Sequence, residues 1–236
     1  MSRKCVVLDL ETVVDETLPP YTGEGGPPAN YHKIVSAGII VASDTYQVEE
    51  VLCLSTDKME EREILEKISG LFGNNNTIVT YAGRRFDIPI VYFRSLRLGV
   101  SSPWFSDFEF MNRYKNKGHF DLCDQLTSFG AMYPSPGLDA LSVLIGLPGK
   151  QGASGSEIAQ QVIDEKWGEI NTYCVTDIVS TYLLFCRHCY VSGNSPREEY
   201  IGALHSIRNH LKSYGRIVSS EDYTPCGNEE WIKEGL

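Results

Sequence analysis

Cys5-Val6-Val7-Leu8-Asp9-Leu10-Glu11-Thr12 has the composition of a buried strand, yet it carries two carboxylates. Side chains alternate along a strand, so Asp9 and Glu11 share a face, roughly 7 Å apart along the backbone. Two ionised carboxylates at that spacing, beside apolar neighbours, repel each other and lose hydration. One divalent cation, or a pair, relieves both costs. The octapeptide also reads as a strand leaving the core, with both acids in water and Glu11-Thr12 opening a turn.

Two later segments carry acids in telling places. Tyr81-Ala82-Gly83-Arg84-Arg85-Phe86-Asp87-Ile88-Pro89 puts Asp87 at a strand-to-helix junction, where Asp taken alone reads as an N-cap and Pro as a first-turn residue. Tyr173 and Asp177 lie at i and i+4 of a helical run, hence on one face. Alone, that pair reads as a solvated Asp with Tyr at its edge. The next turns (Ile178, Val179, Tyr182 to Phe185) are so apolar that much of this helix is expected to be buried.

The elements that must position these residues can be traced along the chain. After the first strand, Val14–Lys33 is irregular, because Leu18–Pro28 is rich in Pro and Gly. Ile34–Ala42 reads as a central strand, a turn follows at Ser43-Asp44, and Tyr46–Leu54 reads as a third strand. Met59–Phe72 has one-face helical spacing and stops at Gly73–Asn76. Thr77–Tyr81 is a fourth strand, followed by a Gly turn and a helix through Leu98. The order β-β-β-α-β-α predicts an antiparallel hairpin region joined to parallel strands by crossover helices, an α/β or α+β mixed sheet. Further on, His119–Leu122 reads as a short strand or a helix entry. Helices are expected at Leu122–Ala131, Leu138–Leu144, Ser156–Asp164, Glu169–Tyr190 and Arg197–Ser213, with a polar loop at Gly149–Gly155.

Together the three acidic segments resemble the motifs of the DEDD 3′–5′ exonucleases: Asp-x-Glu in the first strand, Phe-Asp after a Gly turn, and Tyr-x-x-x-Asp in a late helix. The tyrosine marks the "y" subclass, which includes the proofreading domains of family B DNA polymerases. The chain is similar to a stand-alone bacterial group of predicted exonucleases related to that domain. Tyr31–Val35, His119–Leu122 and Leu138–Lys150 echo the same relatives, and the resemblance spans about residues 4–190. Three motifs in order are far more specific than any one of them.

The resemblance implies a ribonuclease H-like α/β fold, a mixed sheet flanked by helices with additional C-terminal helices. It also implies two divalent ions, Mg²⁺ or Mn²⁺, held by Asp9, Glu11, Asp87 and Asp177. By that analogy Asp9 bridges both ions, Glu11 and Asp177 complete the one that activates water, and Asp87 holds the second. Tyr173 orients the attacking water. Phosphodiester hydrolysis needs an activated water, charge neutralisation at phosphorus and a stabilised 3′ leaving oxygen, and hard cations on carboxylates meet all three needs. Relatives often carry Asn where this chain has Ala82, which bears on grip of the terminal nucleotide. Asp121 is expected to act as a helix cap before Leu122. Arg84, Arg85 and Phe86 are the candidate substrate contacts, although arginines on an exposed turn are commonly just solvated and Phe86 suits the core. Lys33 and Lys150 are weaker candidates for backbone contacts, with surface solvation the alternative.

Composition sets the boundaries. The chain has 236 residues, 42% hydrophobic and 22% charged, with no disorder signature. Residues 1–215 are expected to form a single exonuclease domain, and 216–236 a loosely docked tail. No run approaches the roughly 18 apolar residues of a membrane span, and Met1–Cys5 lacks a signal-peptide pattern. Seven cysteines, an odd number scattered through apolar segments, suit reduced thiols and a cytoplasmic location. Cys186-x-x-Cys189 falls within a helix and reads as buried thiols rather than zinc ligands.

A net charge of −10 counts against long-duplex binding and favours short contacts helped by metal. The expected activity is removal of nucleoside monophosphates from single-stranded 3′ ends, with DNA ranked ahead of RNA and no polymerase or helicase attached. The alternatives are an RNA-processing exoribonuclease and a catalytically idle nucleic-acid-binding module of the same fold.

Overall fold

Strand β1 (Cys5–Val14) runs through the middle of a five-stranded sheet, between β2 (His32–Ala42) and β4 (Thr77–Thr80). The computed structural model describes residues 3–73, 75–115, 117–147 and 157–214. With β3 (Val48–Ser55) and β5 (His119–Asp121) the order is β3-β2-β1-β4-β5. The hairpin strands β1, β2 and β3 pair antiparallel, while β4 and β5 lie parallel to β1. This is the mixed sheet expected from the element order.

Alternation along β1 assigns its two faces. Val6, Leu8 and Leu10 join a core that includes Ile64, Leu65 and Ile68 of α1 (Glu61–Leu71) and Ile88, Ile90 and Val91 of α2 (Asp87–Leu98). Cys5 and Val7 face the opposite core, built on α7 (Trp167–Val191) and α8 (Arg197–Tyr214). Helix α1 begins with a capping box between Glu60 and Glu63. Arg94 of α2 is buried between Asp15 at 2.7 Å and Glu61 at 2.6 Å, tying the end of β1 to both helices. Glu61 also accepts the Ile34 N–H at 2.8 Å, so β2 joins the same cluster.

Among the described residues four shorter α-helices follow, α3 (Phe108–Met111), α4 (Leu122–Leu126), α5 (Leu138–Leu144) and α6 (Ile158–Ile163), with a 3₁₀ turn at Pro103–Ser106. His119–Leu122 is both things expected of it, a strand whose last residue, Asp121, caps α4. The helix expected over Leu122–Ala131 ends at Leu126 instead. Ser128 and Phe129 take positive φ angles of 50° and 58°, and the Phe129 N–H turns back to the Asp124 carbonyl. Strand β3 starts at Val48 rather than Tyr46 because Tyr46 has φ 62° and closes the turn from Ser43.

The segment after β1 is irregular as expected, apart from one 3₁₀ turn at Ala29–Tyr31. The polar loop at 149–155 and the tail at 216–236 lie outside the described residues. The described cysteines are free, and Cys186 and Cys189 are buried in α7. Among the described residues no helix is long and apolar enough to cross a membrane.

Candidate active site

The alternation that sends Cys5 and Val7 toward α7 sends Asp9 and Glu11 to the same side of β1. Strand β4 pairs with β1 only over Cys5–Val7, so among the described residues that edge of β1 has no neighbouring strand from Leu8 onward. The start of α2 fills the position. Asp87 is the first residue of α2, and its carboxylate accepts the Leu10 N–H at 3.1 Å. One of its two oxygens is thus engaged by β1, and Phe86 takes the N-cap position with no side-chain cap bond. The N-cap reading of Asp87 is thereby corrected. Burial pushes the Asp87 carboxyl up to about 7, against the hydrogen bonds from its own and the Leu10 N–H, and the charge of Asp121 adds to the rise.

Helix α7 brings the third segment across the sheet. It crosses β2 at Gly38, the residue opposite Asp9 in the β1–β2 register. A Cβ on Gly38 would meet Ile178 Cγ2 at 2.7 Å and the Cys174 carbonyl at 3.0 Å, so the close seat of α7 requires a residue without a side chain. Asp9, Tyr173 and Asp177 then line one cleft of about 510 Å³, together with Tyr81, Leu138 and Ser142. Glu11 does not line it but is buried beside Asp9. Tyr173 is also buried, and its hydroxyl is pushed well above the usual phenol range. Burial is the largest cause, followed by the charges of Asp177, Glu11 and Asp9 and a hydrogen bond with Asp177.

One carboxylate oxygen each of Asp9 and Glu11 and the Cys174 sulfur lie within 4.8 Å of one another. Cys174 is held far up as a neutral thiol, first by its hydrogen bond with Cys53 and by burial, then by the two carboxylates. Its Sγ donates to the Asp9 carbonyl at 3.8 Å, supporting the strand. With Cys174 held as a thiol, the donors facing the cleft are carboxylate oxygens, which suit a hard divalent cation such as Mg²⁺ or Mn²⁺. Asp177 shares the cleft with Asp9, whereas Asp87 approaches β1 from the strand's open edge.

The turn before Asp87 is strapped by Asp121. Its carboxylate accepts the N–H groups of Ala82 at 3.0 Å and Arg84 at 2.9 Å while capping α4 through Cys123 at 3.0 Å and Asp124 at 3.3 Å. Ala82 has φ 59°, a conformation that Asn or Gly adopts more readily than Ala. Gly83 turns so close to Thr80 that a Cβ would lie 2.5 Å from that side chain.

Arg84 is half-buried in an ion pair with Asp124 at 3.2 Å and donates to the Met111 and His119 carbonyls. It belongs to the scaffold, which corrects the picture of two solvated arginines. Arg85 alone of the pair is exposed. Phe86 is 37% exposed rather than in the core, and its ring meets His32 edge-on at 5.3 Å. Lys33 is partly exposed in β2, and Lys150 lies outside the described residues. Gly38 and Cys174 join the site although no motif marks them. A lone Gly in a β-branched strand was the available signal for Gly38, while Cys174 carried none.

A model of the predicted 3′–5′ exonucleases related to the exonuclease domain of PolB matches residues 27–224. The match takes in Asp87, Tyr173 and Asp177 and begins after β1. No curated protein matches the chain. Among solved structures, the family B DNA polymerase of the hyperthermophilic archaeon Pyrobaculum calidifontis superposes with TM-score 0.56 at 15% identity, over 88% of this chain and 26% of the polymerase. E. coli exonuclease I in complex with an oligonucleotide superposes with TM-score 0.50 at 12% identity, over 91% of this chain and 45% of exonuclease I. At these identities the likeness is one of fold, the ribonuclease H-like exonuclease fold, and the chain spans less than half the length of either protein.

Proposed function

The chain belongs to the family of predicted 3′–5′ exonucleases related to the exonuclease domain of PolB, and from that membership we propose a metal-dependent hydrolysis of single-stranded 3′ ends. The products are nucleoside monophosphates, DNA is the preferred strand, and residues 1–215 act as one domain. The observation that carries the reading is that Asp9, Tyr173 and Asp177, drawn from two motifs far apart in sequence, line one cleft.

Asp9, Glu11, Asp87 and Asp177 would hold two divalent cations, Mg²⁺ or Mn²⁺. When bound, such ions supply a nucleophilic water at neutral pH and neutralise the charge on the phosphoryl and leaving oxygens. The chain's own residues do the remaining work. The Tyr173 hydroxyl keeps its proton under the surrounding negative charge, so it acts as a hydrogen-bond donor and acceptor that orients water and not as a base. Cys174 stays a thiol and leaves hard-cation binding to the oxygens. Asp87 is fixed to the β1 backbone, which gives its carboxylate a set position before any ligand arrives. A cleft of about 510 Å³ would take the terminal nucleotide of an unpaired strand end.

A gel time course tests this. 5′-labelled single-stranded DNA and RNA of matched sequence are offered to wild type and Asp9→Ala with Mg²⁺, Mn²⁺ or EDTA. The expected result is a one-nucleotide ladder shortening from the 3′ end, stronger on DNA and absent with EDTA or in the variant. A ladder that survives in Asp9→Ala would sink the assignment, and one confined to RNA would reverse the substrate ranking.

A further inference from the structure

The loop joining α4 to α5, residues 127–137, carries exposed apolar side chains beside the cleft. Tyr133 is 92% exposed and Met132 53%. They are adjacent in sequence, so the loop offers water a Tyr ring and a thioether side by side. The loop is not loose. At its start the Phe129 N–H bonds the Asp124 carbonyl at 2.6 Å, and Met132 N–H bonds the Thr127 carbonyl at 3.0 Å. At its end the Pro136 carbonyl accepts the Tyr81 hydroxyl, and both Tyr81 and Gly137 line the cleft wall. The loop is therefore fixed on both sides of Tyr133 and meets the cleft wall at Gly137.

The charge beside this loop has the sign a phosphate requires. The Arg85 guanidinium lies 3.9 Å from where a Cβ on Gly130 would stand. It makes no ion pair with any described residue, unlike its neighbours Arg84 and Arg113, which are both paired with Asp124. Phe86, next in sequence, adds a further exposed ring edge. A free cation against a loop that bears exposed aromatic and thioether side chains is a pairing that suits unpaired nucleotides, with phosphates on the cation and bases stacked on the ring. A duplex keeps its bases stacked on each other and offers nothing to Tyr133. An acidic protein of net charge −10 repels nucleic acid over most of its surface, so a local cation matters more here.

We propose that Arg85, Met132 and Tyr133 form a docking platform for the single-stranded segment upstream of the 3′ end, with Arg85 on a phosphate and Tyr133 stacked on a base. This rests on the proposed function only for its placement beside the cleft, since binding is measurable without turnover.

The test is the fluorescence anisotropy of a 5′-labelled deoxythymidine oligonucleotide in EDTA, with wild type, Tyr133→Ala, Arg85→Ala and, as a distant exposed control, Val191→Ala. Circular dichroism melts check that each variant is folded. The expected result is a Kd raised about tenfold by each platform substitution, unchanged in Val191→Ala, with a blunt duplex bound more weakly than the single strand. Unchanged binding in both platform variants, or equal binding of duplex and single strand, overturns the platform. If wild type cleaves nothing in the gel assay while the tenfold losses persist, the exonuclease reading fails and the platform stands.

Discussion

The carboxylate of Asp87 holds the backbone N–H of Leu10 at 3.1 Å, in the place along β1 that a neighbouring strand would otherwise occupy. This bond joins the second acidic segment to the first between Asp9 and Glu11. It also explains why Asp87 is buried at the start of a helix rather than solvated as a cap: the sheet has an unfilled backbone donor there, and the acid fills it.

Removing like charge should stabilise the metal-free protein. In EDTA, Asp9→Asn is expected to melt above wild type, by about 1 kcal/mol, because one member of a crowded carboxylate set is neutralised. Adding Mg²⁺ should then raise the Tm of wild type and leave the variant almost unmoved. Calorimetry of both proteins with and without Mg²⁺ decides it. Equal stabilisation of the two would remove Asp9 from the cation site.

Gly38→Ala tests the seat of α7. The new Cβ would press on Ile178 and the Cys174 carbonyl, costing about 1–3 kcal/mol of stability. Because Tyr173 and Asp177 ride on the displaced helix, turnover should fall about 100-fold. Denaturant melts and the gel assay on one preparation separate the two effects. Near-normal turnover would show that the helix need not sit so close.

Arg94→Ala leaves partly buried Glu61 without its arginine and buried Asp15 with only the more exposed Arg97 at 3.3 Å, and should cost about 3 kcal/mol at neutral pH. Burial works against ionisation of Asp15, but hydrogen bonds from Thr17 and Arg94 prevail and hold its carboxyl at about 2. A lowered folded-state value means stability that is present above the ordinary carboxylate range near 3.8 and is lost as pH falls toward 2. The gap between wild type and Arg94→Ala should therefore narrow between about pH 4 and pH 2. A constant gap in urea melts across that window would contradict the pairing.

Tyr173→Phe removes one hydroxyl and no charge. Turnover should drop about 10²-fold, while the Mg²⁺-induced rise in Tm stays at the wild-type value. Loss of that rise would make Tyr173 part of the cation site rather than a positioning residue for water.

Much of this site was legible in the chain because two of its parts obey local periodicity. Asp9 and Glu11 share a face because strands repeat every two residues, and Tyr173 and Asp177 share one because helices bring i and i+4 together. The flanking apolar patterns likewise located the strands and the long helices. The misreadings fall where local pattern is silent. The helix expected to reach Ala131 stops at Leu126 because Ser128 and Phe129 enter left-handed geometry to let the chain turn onto Asp124. Phe86 looked like core by residue type, but the tight turn held by Asp121 leaves it at the surface.

By itself, the sequence determined which residues face the same way within one element, since that follows from backbone geometry alone. The tertiary structure decided which elements meet. Leu10 and Asp87 are 77 residues apart, and Cys174 and Asp9 are 165 apart. Whether Arg84 is free or spent on Asp124, and whether α7 can approach Asp9 over Gly38, are questions of packing between distant segments. No local repeat encodes such contacts, because they depend on the burial and close packing of the whole sheet with its two helical layers.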